Sequence, residues 1–425
     1  MFAQARGTRS IRGEELRQRN YIKKLLVQWA RNNNFSEIEL PTFEYSDLFV
    51  GSSEQEENIL EKEIFFLEGK KYALKPEGTI SIAREIVNQK MIAREVSPLK
   101  FCYLTQCYRY ERPQKGRYRE FTQFGVEIVN ANSVFFEIEL ILSLNKFLNS
   151  VLGLTPHLRI NYLASSEIKK KWAEELRTYF SDPENSAKLS KISRDRIREN
   201  PIRILDDKND SHLQVVKDSP KIHNYFSEED KKNVETIKKY LNCLGVKYQW
   251  DNNLVRGLDY YTGIVFEWEI NNLTIAGGGR YNELFNKFQT GTTPKNTIPS
   301  LGLAVGIDRL HLALNENNYK WPRKISYKLY LCNLMVNIEP KVILLVQKLK
   351  EEGIQVETNW EFKDLNSHFK YSDKLGFRWL LIYGEKEHNN REIILKEQNK
   401  NYQIYFSLDN LEVLIEEVKR TLEFE

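Results

Sequence analysis

Charged and amide side chains share one face of a β-hairpin that the sequence predicts between Tyr108 and Glu127. Alternate residues of a strand lie on the same face. One face of the second arm therefore carries Arg117, Arg119, Phe121, Gln123, Gly125 and Glu127. The matching face of the first arm carries Cys107, Arg109 and Glu111. Forked arginines suit phosphate and carboxylate, whereas Glu and Gln suit an amine or the edge of a base. The alternative is a solvated polar face with ordinary cross-strand ion pairs.

Four strings carry a family resemblance. ERPQKGRYREF followed by QFGVE resembles motif 2 of class II aminoacyl-tRNA synthetases, in the form found in the histidyl-tRNA synthetase family. LKPEGT (residues 74–79), LVRGLDYYTG (254–263) with AGGGRY (276–281), and GLAVGIDRL (302–310) follow the order and spacing of that family. LVRGLDYYTG is the most specific string, because other class II synthetases lack it. The resemblance covers essentially the whole chain.

The pattern of strands and helices predicts an α+β fold with mixed antiparallel strands, not a doubly wound sheet. By resemblance, residues 1–322 form a class II catalytic domain with an antiparallel sheet, and residues 323–425 form a small α/β anticodon-binding domain. Within the first domain, residues 164–240 lose strand signals and gather Lys and Arg at helical spacing, which predicts a helical insertion. That basic surface is either simply solvated or, as in the family, close to the acceptor arm of the tRNA.

Local patterns predict the remaining elements. Helices are predicted over residues 14–31, 79–88 and 134–152, and Thr79 could serve as an N-cap. Strands are predicted over residues 64–66, 72–75, 158–162, 248–254, 265–270, 273–276 and 302–305. The glycines at 277–279 are expected to lead into a helix. In the family, the first helix and a strand that ends at a proline, here Pro41, form a homodimer interface.

Composition limits the class of protein. The chain has 425 residues, of which 41% are hydrophobic and 29% are charged, with a formal net charge of +4. A folded protein of two or three domains is expected. No apolar run approaches the ~20 residues of a membrane span, and the N-terminus lacks a hydrophobic signal core. RGT at residues 6–8 resembles the start of the family's mature sequence, so a cytoplasmic location is expected.

The cysteines and histidines do not form a pattern that predicts a metal site. The four cysteines are scattered without a C-x-x-C pair and read as reduced, mostly buried residues. The six histidines lie outside every string of the resemblance. If the chain is an enzyme, its chemistry therefore depends on arginines and carboxylates, with no metal held by the protein.

The resemblance implies a two-step reaction. An amino-acid carboxylate attacks the α-phosphorus of ATP, pyrophosphate leaves, and the acyl-adenylate is captured by a terminal ribose hydroxyl of tRNA. This chemistry requires positioning and positive charge, not a protein nucleophile. ATP is a substrate accompanied by Mg²⁺, and no prosthetic group is expected. The implied ATP ligands are Arg109 at the α-phosphate, Glu111 at adenine, Arg117 near the γ-phosphate, and Arg309.

Arg309 also has an unusual position that does not depend on the resemblance. It falls in the first turn of a predicted helix, where a cation opposes the helix dipole at a cost of roughly 0.3–1 kcal/mol. An anionic ligand would remove the conflict. The alternative is an ion pair with Asp308 or another acid.

The implied amino-acid pocket binds the ammonium and imidazole groups of L-histidine. Glu77, Thr79 and Gln123 are expected on the ammonium side, and Glu127 and Tyr261 at the two ring nitrogens. The catalytic groups are Arg256 and Arg109, both of which face the substrate carboxylate. The remaining pocket residues are Gly78, Tyr260 and Tyr281, with AGGGRY as a wall. Such a pocket leaves its buried polar groups unpaired with other amino acids and can discriminate by roughly 10⁴–10⁵. Core or interface packing is the alternative role for Tyr260 and Tyr261.

The resemblance also implies contacts with tRNA-His. Gln114, Lys115 and Arg119 lie in or beside the hairpin loop, which the family uses on the acceptor end. Three details depart from the family pattern: Lys75 replaces the usual Arg, Thr122 stands where His is common, and RGTRS lacks the usual Asp. None of these departures affects the residues expected in the site.

Three other interpretations compete. A histidine-binding regulatory paralogue of histidine biosynthesis resembles the catalytic domain, but typically loses the Arg of VRGLDYY and the C-terminal domain. This chain keeps Arg256, Arg309 and residues 323–425. A tRNA-sensing region of a stress kinase would belong to a much longer chain. A class II synthetase for threonine or proline is disfavoured by Glu127 together with Tyr261.

Overall fold

The computed structural model describes residues 2–50, 63–207, 209–256, 260–288, 297–322, 327–361, 363–398, 400 and 402–423. The chain divides into two compact units, Met1–Lys320 and Trp321–Glu425. The α-helices of the first unit are Gly13–Asn32, Thr79–Asn88, Met91–Arg94, Phe135–Lys146, Ser166–Ser181, Pro183–Ala187, Lys191–Glu199, Gln214–Lys217, Glu228–Cys243 and Ile307–Glu316. Those of the second unit are Pro340–Glu351, Leu365–Lys374, Glu385–Asn389 and Leu411–Glu423. Throughout the described ranges, each helix is too short or too polar to span a bilayer.

Two sheets organise the first unit. The strands in chain order are β1 (Ser36–Glu37), β2 (Phe43–Tyr45), β3 (Phe66–Leu67), β4 (Tyr72–Leu74), β5 (Leu99–Tyr108), β6 (Glu120–Val129), β7 (His157–Tyr162), β8 (Gln249–Trp250), β9 (Thr262–Ile270), β10 (Leu273–Arg280) and β11 (Ser300–Gly306). The large sheet has the order β1-β5-β6-β11-β10-β9-β7-β8, and β2, β4 and β3 form a small one. In the large sheet only the outer pairs β1–β5 and β7–β8 are parallel. This mainly antiparallel sheet confirms the predicted α+β class.

The hairpin β5–β6 lies in the middle of the large sheet because its second arm also pairs with β11. Cα partners include Phe101 with Glu127 on one side, and Gly302 with Glu127 on the other. On β6, Gln123 and Glu127 contact Gly78 and Thr79 at the start of the helix Thr79–Asn88. Gln123 also pairs with Gly306, the residue directly before the helix Ile307–Glu316. The insertion packs its own helices around Trp172, Leu176 and Phe180, all fully buried.

The second unit is built on a five-stranded sheet. Its strands are β12 (Lys328–Asn333), β13 (Gln355–Thr358), β14 (Trp379–Tyr383), β15 (Glu392–Glu397) and β16 (Tyr402–Ser407). The order is β13-β12-β14-β15-β16, with β12 parallel to both β13 and β14 and the last two pairs antiparallel. Leucines and valines of the helix Pro340–Glu351 fill the core against one face. This is the small α/β fold that the sequence predicts.

Two predicted elements are wrong. The triple glycine does not lead into a helix but belongs to β10, where Gly277 pairs with Ala304 on one side and Glu267 on the other. The strand predicted over residues 248–254 is reduced to Gln249–Trp250. Asp251 ends it, because its side chain accepts a hydrogen bond of 2.9 Å from the Asn253 N–H and its carbonyl accepts one from Leu254. This local turn competes with the sheet for the same backbone groups.

Candidate active site

Glu77 organises the start of the helix Thr79–Asn88. Its carboxylate accepts the N–H groups of Thr79 and Ile80 at 2.7 and 2.8 Å, two donors that a helix N-terminus leaves free. The hydroxyl of Thr79 donates to Oε1 of Glu127 at 2.7 Å, so the alternative in which Thr79 caps the helix is wrong. The Tyr260 hydroxyl reaches Oε2 of Glu77 at 3.3 Å. Burial raises the pKa of Glu77 above its ordinary value.

Glu127, a residue of the predicted amino-acid pocket, is 1% exposed. Its Oε1 accepts hydrogen bonds from Thr79 and from the Tyr103 hydroxyl at 3.2 Å, and its Oε2 accepts one from Tyr281 at 2.6 Å. Burial raises the pKa of Glu127 to about 8, although the hydrogen bonds oppose this shift. A Cβ on Gly302 would lie 1.7 Å from Oε2, so only glycine fits on the neighbouring strand. The carboxylate is thus fixed in position by neutral donors.

Tyr103 is a pocket residue that the sequence analysis missed. It is 2% exposed, and burial raises the pKa of its hydroxyl well above the ordinary value. Two glycines make room for its ring: a Cβ on Gly78 would lie 2.3 Å from it, and one on Gly125 would lie 2.2 Å from it. The available signal for Tyr103 was the pair of glycines, Gly78 and Gly125, that lie in two different motifs and together leave space for one large side chain on β5.

The three predicted tyrosines of the pocket pack together. The ring centroids of Tyr260 and Tyr261 are 4.8 Å apart, and those of Tyr260 and Tyr281 are 6.0 Å apart. Burial raises the pKa of each hydroxyl, so all three remain neutral donors at ordinary pH. A ligand in this pocket would meet aromatic walls and hydroxyl groups beside the carboxylates of Glu77 and Glu127.

Gln123 and Arg109 lie between the pocket and the hairpin loop. The Gln123 side-chain oxygen accepts from the Gly78 N–H at 3.2 Å and from the Cys107 thiol at 3.4 Å. The Nε of Arg109 donates to the carbonyl of Pro76 at 3.0 Å, and its guanidinium lies over the Phe121 ring at 5.3 Å. These contacts place Arg109 between the segment that precedes the helix Thr79–Asn88 and strand β6.

Arg109 lies close to two further guanidinium groups, those of Arg117 and Arg309. Arg117 pairs with Glu111 at 2.8 Å, and Arg109 lies 3.8 Å from the same carboxylate. Arg309 donates to the carbonyls of Gly116 and Thr274 at 3.1 and 3.0 Å. Burial, followed by the charges of Arg117 and Arg109, lowers the pKa of Arg309 to about 10.

The alternative in which Arg309 pairs with Asp308 is wrong. The Asp308 carboxylate binds Arg19 instead, and Arg309 has no carboxylate partner among the described residues. The arginine cluster therefore carries more positive charge than its neighbours neutralise, as a site for a polyanion requires.

Arg256 occupies a buried position next to the tyrosines. It forms an ion pair with Glu267, its guanidinium lies 5.8 Å from the Tyr261 ring centroid, and its Nε is buried without a partner among the described residues. A Cβ on Gly277 would lie 2.7 Å from Nη1 of Arg256. The glycines of the AGGGRY segment therefore leave the space that Arg256 occupies. Glu267 is a second residue that sequence reasoning missed, because nothing in its strand distinguishes it from other acids.

The side chains predicted to contact RNA lie on the hairpin loop. Gln114 and Arg117 exchange two backbone hydrogen bonds, of 3.1 and 2.9 Å, around Gly116. Lys115 pairs with Glu316 at 2.5 Å, yet its side chain is 74% exposed. The guanidinium of Arg119 stacks over the Tyr110 ring at 4.0 Å. Beside this loop is a cleft of about 490 Å³, lined by Arg6, Tyr110, Glu111, Arg112, Pro113 and Arg119.

Two of the three departures from the family pattern have local explanations. Lys75 is buried, and its ammonium donates to the carbonyls of Leu40 and Pro41 at 3.2 and 2.5 Å. A compact ammonium satisfies these two acceptors without the fork of an arginine. Thr122 accepts a hydrogen bond of 3.2 Å from Arg19 and donates its N–H to Asp308, so it belongs to a network behind the arginine cluster.

An antiparallel sheet with one arginine on a central hairpin and another on the helix after the last strand defines a class II aminoacyl-tRNA synthetase. Residues 7–310 match the family described as Histidyl-tRNA synthetase, and residues 328–418 match the family described as Anticodon binding domain. The chain belongs to the histidyl-tRNA synthetase family and is a ligase.

Individual relatives agree over nearly their full lengths. The histidine–tRNA ligase of Ureaplasma parvum serovar 3 is 34% identical over 420 residues, which covers 96% of this chain and 98% of the relative. That of Halothermothrix orenii is 34% identical over 423 residues, with 98% of both chains covered. The crystal structure of apo S. aureus histidyl-tRNA synthetase superposes with a TM-score of 0.77 at 28% identity, covering 99% of this chain and 100% of that one.

Proposed function

We propose that the site activates L-histidine with ATP and then transfers the histidine to tRNA-His. A histidine carboxylate oxygen attacks the α-phosphorus, the bond to the bridging oxygen of the β-phosphate breaks, and pyrophosphate leaves. The terminal ribose hydroxyl of the tRNA then attacks the acyl carbon, and AMP leaves. The observation that supports this proposal is that a buried carboxylate site, built on Glu127 and Glu77, and a cluster of Arg109, Arg117 and Arg309 occur in the same unit, with Arg109 close enough to act on the charge of Glu77.

Glu127 and Tyr261 would select the imidazole ring. Glu127 is a buried acceptor and Tyr261 a neutral hydroxyl, and together they can pair with a ring N–H and the second ring nitrogen. Glu77, Thr79 and Gln123 lie on the side where the α-ammonium group would bind, with Gly78 between them. Tyr260 and Tyr281 provide the walls. Oε2 of Glu127 accepts a single hydrogen bond from the described residues, so a side chain of similar size that lacks ring nitrogens would leave its second acceptor position without a donor, which is the physical basis of selection.

The arginines would stabilise charge on the phosphates. Arg109 and Arg256 flank the point where the carboxylate meets the α-phosphate, Arg117 and Arg309 take the leaving pyrophosphate, and Glu111 contacts adenine. Fixed positive charge at the place where charge develops lowers the barrier without reorganisation during the reaction. ATP enters as its Mg²⁺ complex. Among the described residues no group of three or more His, Cys, Asp or Glu side chains could hold this ion, so the phosphates of ATP would supply most of its oxygen ligands.

The RNA substrate would contact two regions. Gln114, Lys115 and Arg119 on the hairpin loop would meet the acceptor end, next to the 490 Å³ cleft. Residues 323–425 would bind the anticodon stem, and residues 1–322, including the insertion over 164–240, would form the catalytic domain. The exposure of Lys115 and the stacking of Arg119 on Tyr110 suit phosphate and base contacts respectively.

The rival function is that of a regulatory paralogue, which would bind histidine without forming the adenylate. The retained Arg256 beside the tyrosines, and the retained Arg309 beside Arg109 and Arg117, favour the synthetase. A protein that only senses histidine would need Glu127 and Tyr261 but not a second group of arginines. Histidine binding without any exchange of pyrophosphate into ATP would favour the regulatory role.

A homodimer and a cytoplasmic location complete the proposal. The strand Phe43–Tyr45 exposes Phe43 and Tyr45, 53% and 62% accessible, beside Tyr72. An aromatic patch next to the proposed interface of the first helix and the segment ending at Pro41 suits a second copy of the chain. Light scattering tests this, and a fully active monomer would contradict it.

The full activity is tested by charging a tRNA-His transcript with labelled histidine in the presence of ATP and Mg²⁺. We expect charging by the wild-type chain and loss of at least about 100-fold in Arg256→Met, since Arg256 would act on the reacting groups. The matched control is Arg159→Met, which removes a half-buried arginine paired with Asp251 at the far side of the same sheet. Equal losses in both variants would indicate damage to the sheet, and charging of unrelated tRNA would overturn the assigned RNA substrate.

A further inference from the structure

A buried ion-pair network lies directly behind Arg309. Asp308 accepts from Arg19 at 2.6 and 3.3 Å, from the Thr122 N–H at 3.2 Å, and from Arg9 at 3.1 Å. Arg19 also donates to the Thr122 hydroxyl at 3.2 Å. The side chains of Arg19 and Asp308 are only 3% and 5% exposed. One carboxylate therefore joins the N-terminal segment, the first helix, strand β6 and the first turn of the helix Ile307–Glu316.

The elements in this network include the helix that carries Arg309 and the strand against which Arg109 lies. Thr122 follows Phe121, on whose ring Arg109 lies, and Asp308 precedes Arg309. Arg309 itself spans from the hairpin turn at Gly116 to Thr274 in β10. A shift of the helix start relative to β6 would therefore move Arg309 relative to Arg109.

Such a shift has a physical driving force. Arg309 is a buried cation beside Arg117 and Arg109, in a helix turn whose dipole also disfavours positive charge. Without an ATP phosphate, repulsion would push its guanidinium away from the other two. Asp308 in the same turn is favoured by that dipole, and its bonds to Arg19 and Thr122 hold the backbone in place.

We propose, on the basis of the adenylation activity proposed above, that Asp308 is a positioning residue for Arg309. In this role the Arg19–Asp308–Thr122 network holds the start of the helix that carries Arg309, and so sets the affinity of the active site for ATP without contacting the ligand. Arg19 belongs to the helix Gly13–Asn32, so residues that never contact substrate would control how well ATP is held. Histidine binding, which depends on Glu77 and Glu127, would not depend on the network.

The test compares Asp308→Asn with the wild type in histidine-dependent ATP–pyrophosphate exchange. We expect the KM for ATP to rise about tenfold in Asp308→Asn, because a displaced cationic clamp weakens phosphate binding. The Kd of histidine, measured by calorimetry without ATP, should stay within about twofold of the wild type. Thr122→Val, which keeps the backbone N–H but removes the hydroxyl, should give a smaller increase in the KM for ATP.

The matched control is Glu137→Gln, which disrupts the buried pair of Glu137 with Arg280, at the same 2.6 Å and with side chains 4% and 8% exposed. It should lower the melting temperature to a similar extent while leaving the KM for ATP unchanged. Equal increases in the KM for ATP in Asp308→Asn and Glu137→Gln would overturn the positioning role, as would an unchanged KM in Asp308→Asn. If Asp308→Asn does not fold, the KM for ATP is measured in Arg19→Lys and Thr122→Val instead, and an increase that Glu137→Gln does not show supports the positioning role. No exchange by the wild type with histidine would instead contradict the proposed function.

Discussion

The hydroxyl of Tyr281 donates a hydrogen bond of 2.6 Å to Oε2 of the buried Glu127. Oε1 of the same carboxylate accepts from Thr79 and Tyr103. Because burial raises the pKa of Tyr281 well above its ordinary value, this hydroxyl stays a donor and fixes the orientation of the carboxylate. An imidazole N–H of the substrate would then meet an acceptor that is already in position, which reduces the entropic cost of binding.

We expect Glu127→Gln to reduce kcat/KM for histidine about 100-fold, since a carboxyl group that can release its proton to accept an imidazole N–H becomes an amide that cannot ionise and always carries donors. The KM for ATP should change little, because Glu127 does not face the arginine cluster. Steady-state pyrophosphate exchange measures both constants. Glu167→Gln, at an exposed ion pair with Lys171, is the control that should behave like the wild type. Normal histidine kinetics in Glu127→Gln would exclude Glu127 from the imidazole site.

The same substitution should change the pH dependence of stability. Burial raises the pKa of Glu127 from 4.5 to about 8. Between these values the folded protein holds a proton that the unfolded chain has released, so the free energy of unfolding falls as pH rises through this window. The amide of the variant cannot titrate. We therefore expect the melting temperature of Glu127→Gln, relative to that of the wild type, to increase as the pH rises from about 5 to about 8. A constant difference across the window would contradict a buried, proton-binding carboxyl group.

The arginine cluster predicts stabilisation by a polyanion alone. Inorganic pyrophosphate should raise the melting temperature of the wild type, because a ligand at 100 times its Kd adds about 2.7 kcal/mol to the free energy of unfolding. Arg309→Met should lose most of this gain, since it removes a buried cation that has no carboxylate partner among the described residues. Lys171→Met, at an exposed ion pair with Glu167, should keep it. The same gain in all three proteins would place the anion elsewhere.

The close approach of Gly277 to Arg256 makes a prediction about catalysis. A Cβ on Gly277 would lie 2.7 Å from Nη1 of Arg256, so Gly277→Ala should displace that guanidinium and lower kcat about tenfold. The Kd of histidine, measured by calorimetry, should change much less. Gly153→Ala is the control, because Gly153 has a φ of +63° and nothing within 4 Å. It should cost about 1 kcal/mol of stability from backbone strain and leave kcat intact. An unchanged kcat in Gly277→Ala would remove Arg256 from the reacting groups.

The hairpin loop should act in the second step only. Gln114→Ala is expected to slow transfer of histidine to tRNA while sparing formation of the adenylate, since Gln114 lies in the turn and not in the pocket. Single-turnover transfer from preformed adenylate, compared with pyrophosphate exchange, separates the two steps. Lys115→Met tests the neighbouring residue of the loop, whose ammonium group pairs with Glu316 in this structure. Equal loss of both steps in Gln114→Ala would refute a role confined to RNA.

The fold could be predicted well where the spacing of apolar and polar side chains shows the period of a strand or a helix. Alternation along β6 placed Gln123 and Glu127 on one face, and the helix after GLAVG begins at Ile307, where the sequence predicts it. The glycines of AGGGRY were misread, because a run of glycines has no side chain to show the period of a strand. Asp251 ended β8 early through a turn that only its side-chain geometry determines.

The sequence predicted the candidate site less completely, because the residues that hold the site residues in position come from distant parts of the chain. Tyr103 and Glu127 are 24 residues apart and meet only through the register of β5 and β6. Arg19 and Asp308 are 289 residues apart. The available signal for Arg19 was its place on the buried face of a helix with Ile22 and Leu26, since a buried arginine requires an acidic partner. Which acid serves as that partner depends on tertiary packing.

The most direct measurement is ATP–pyrophosphate exchange with each of the twenty amino acids, with Mg²⁺ present and tRNA absent. Exchange with histidine alone is the predicted result, because it requires both the imidazole contacts at Glu127 and Tyr261 and adenylate chemistry at the arginine cluster. Histidine binding without exchange would contradict the catalytic role of Arg109, Arg256 and Arg309. Exchange with a different amino acid would contradict the assignment of the pocket.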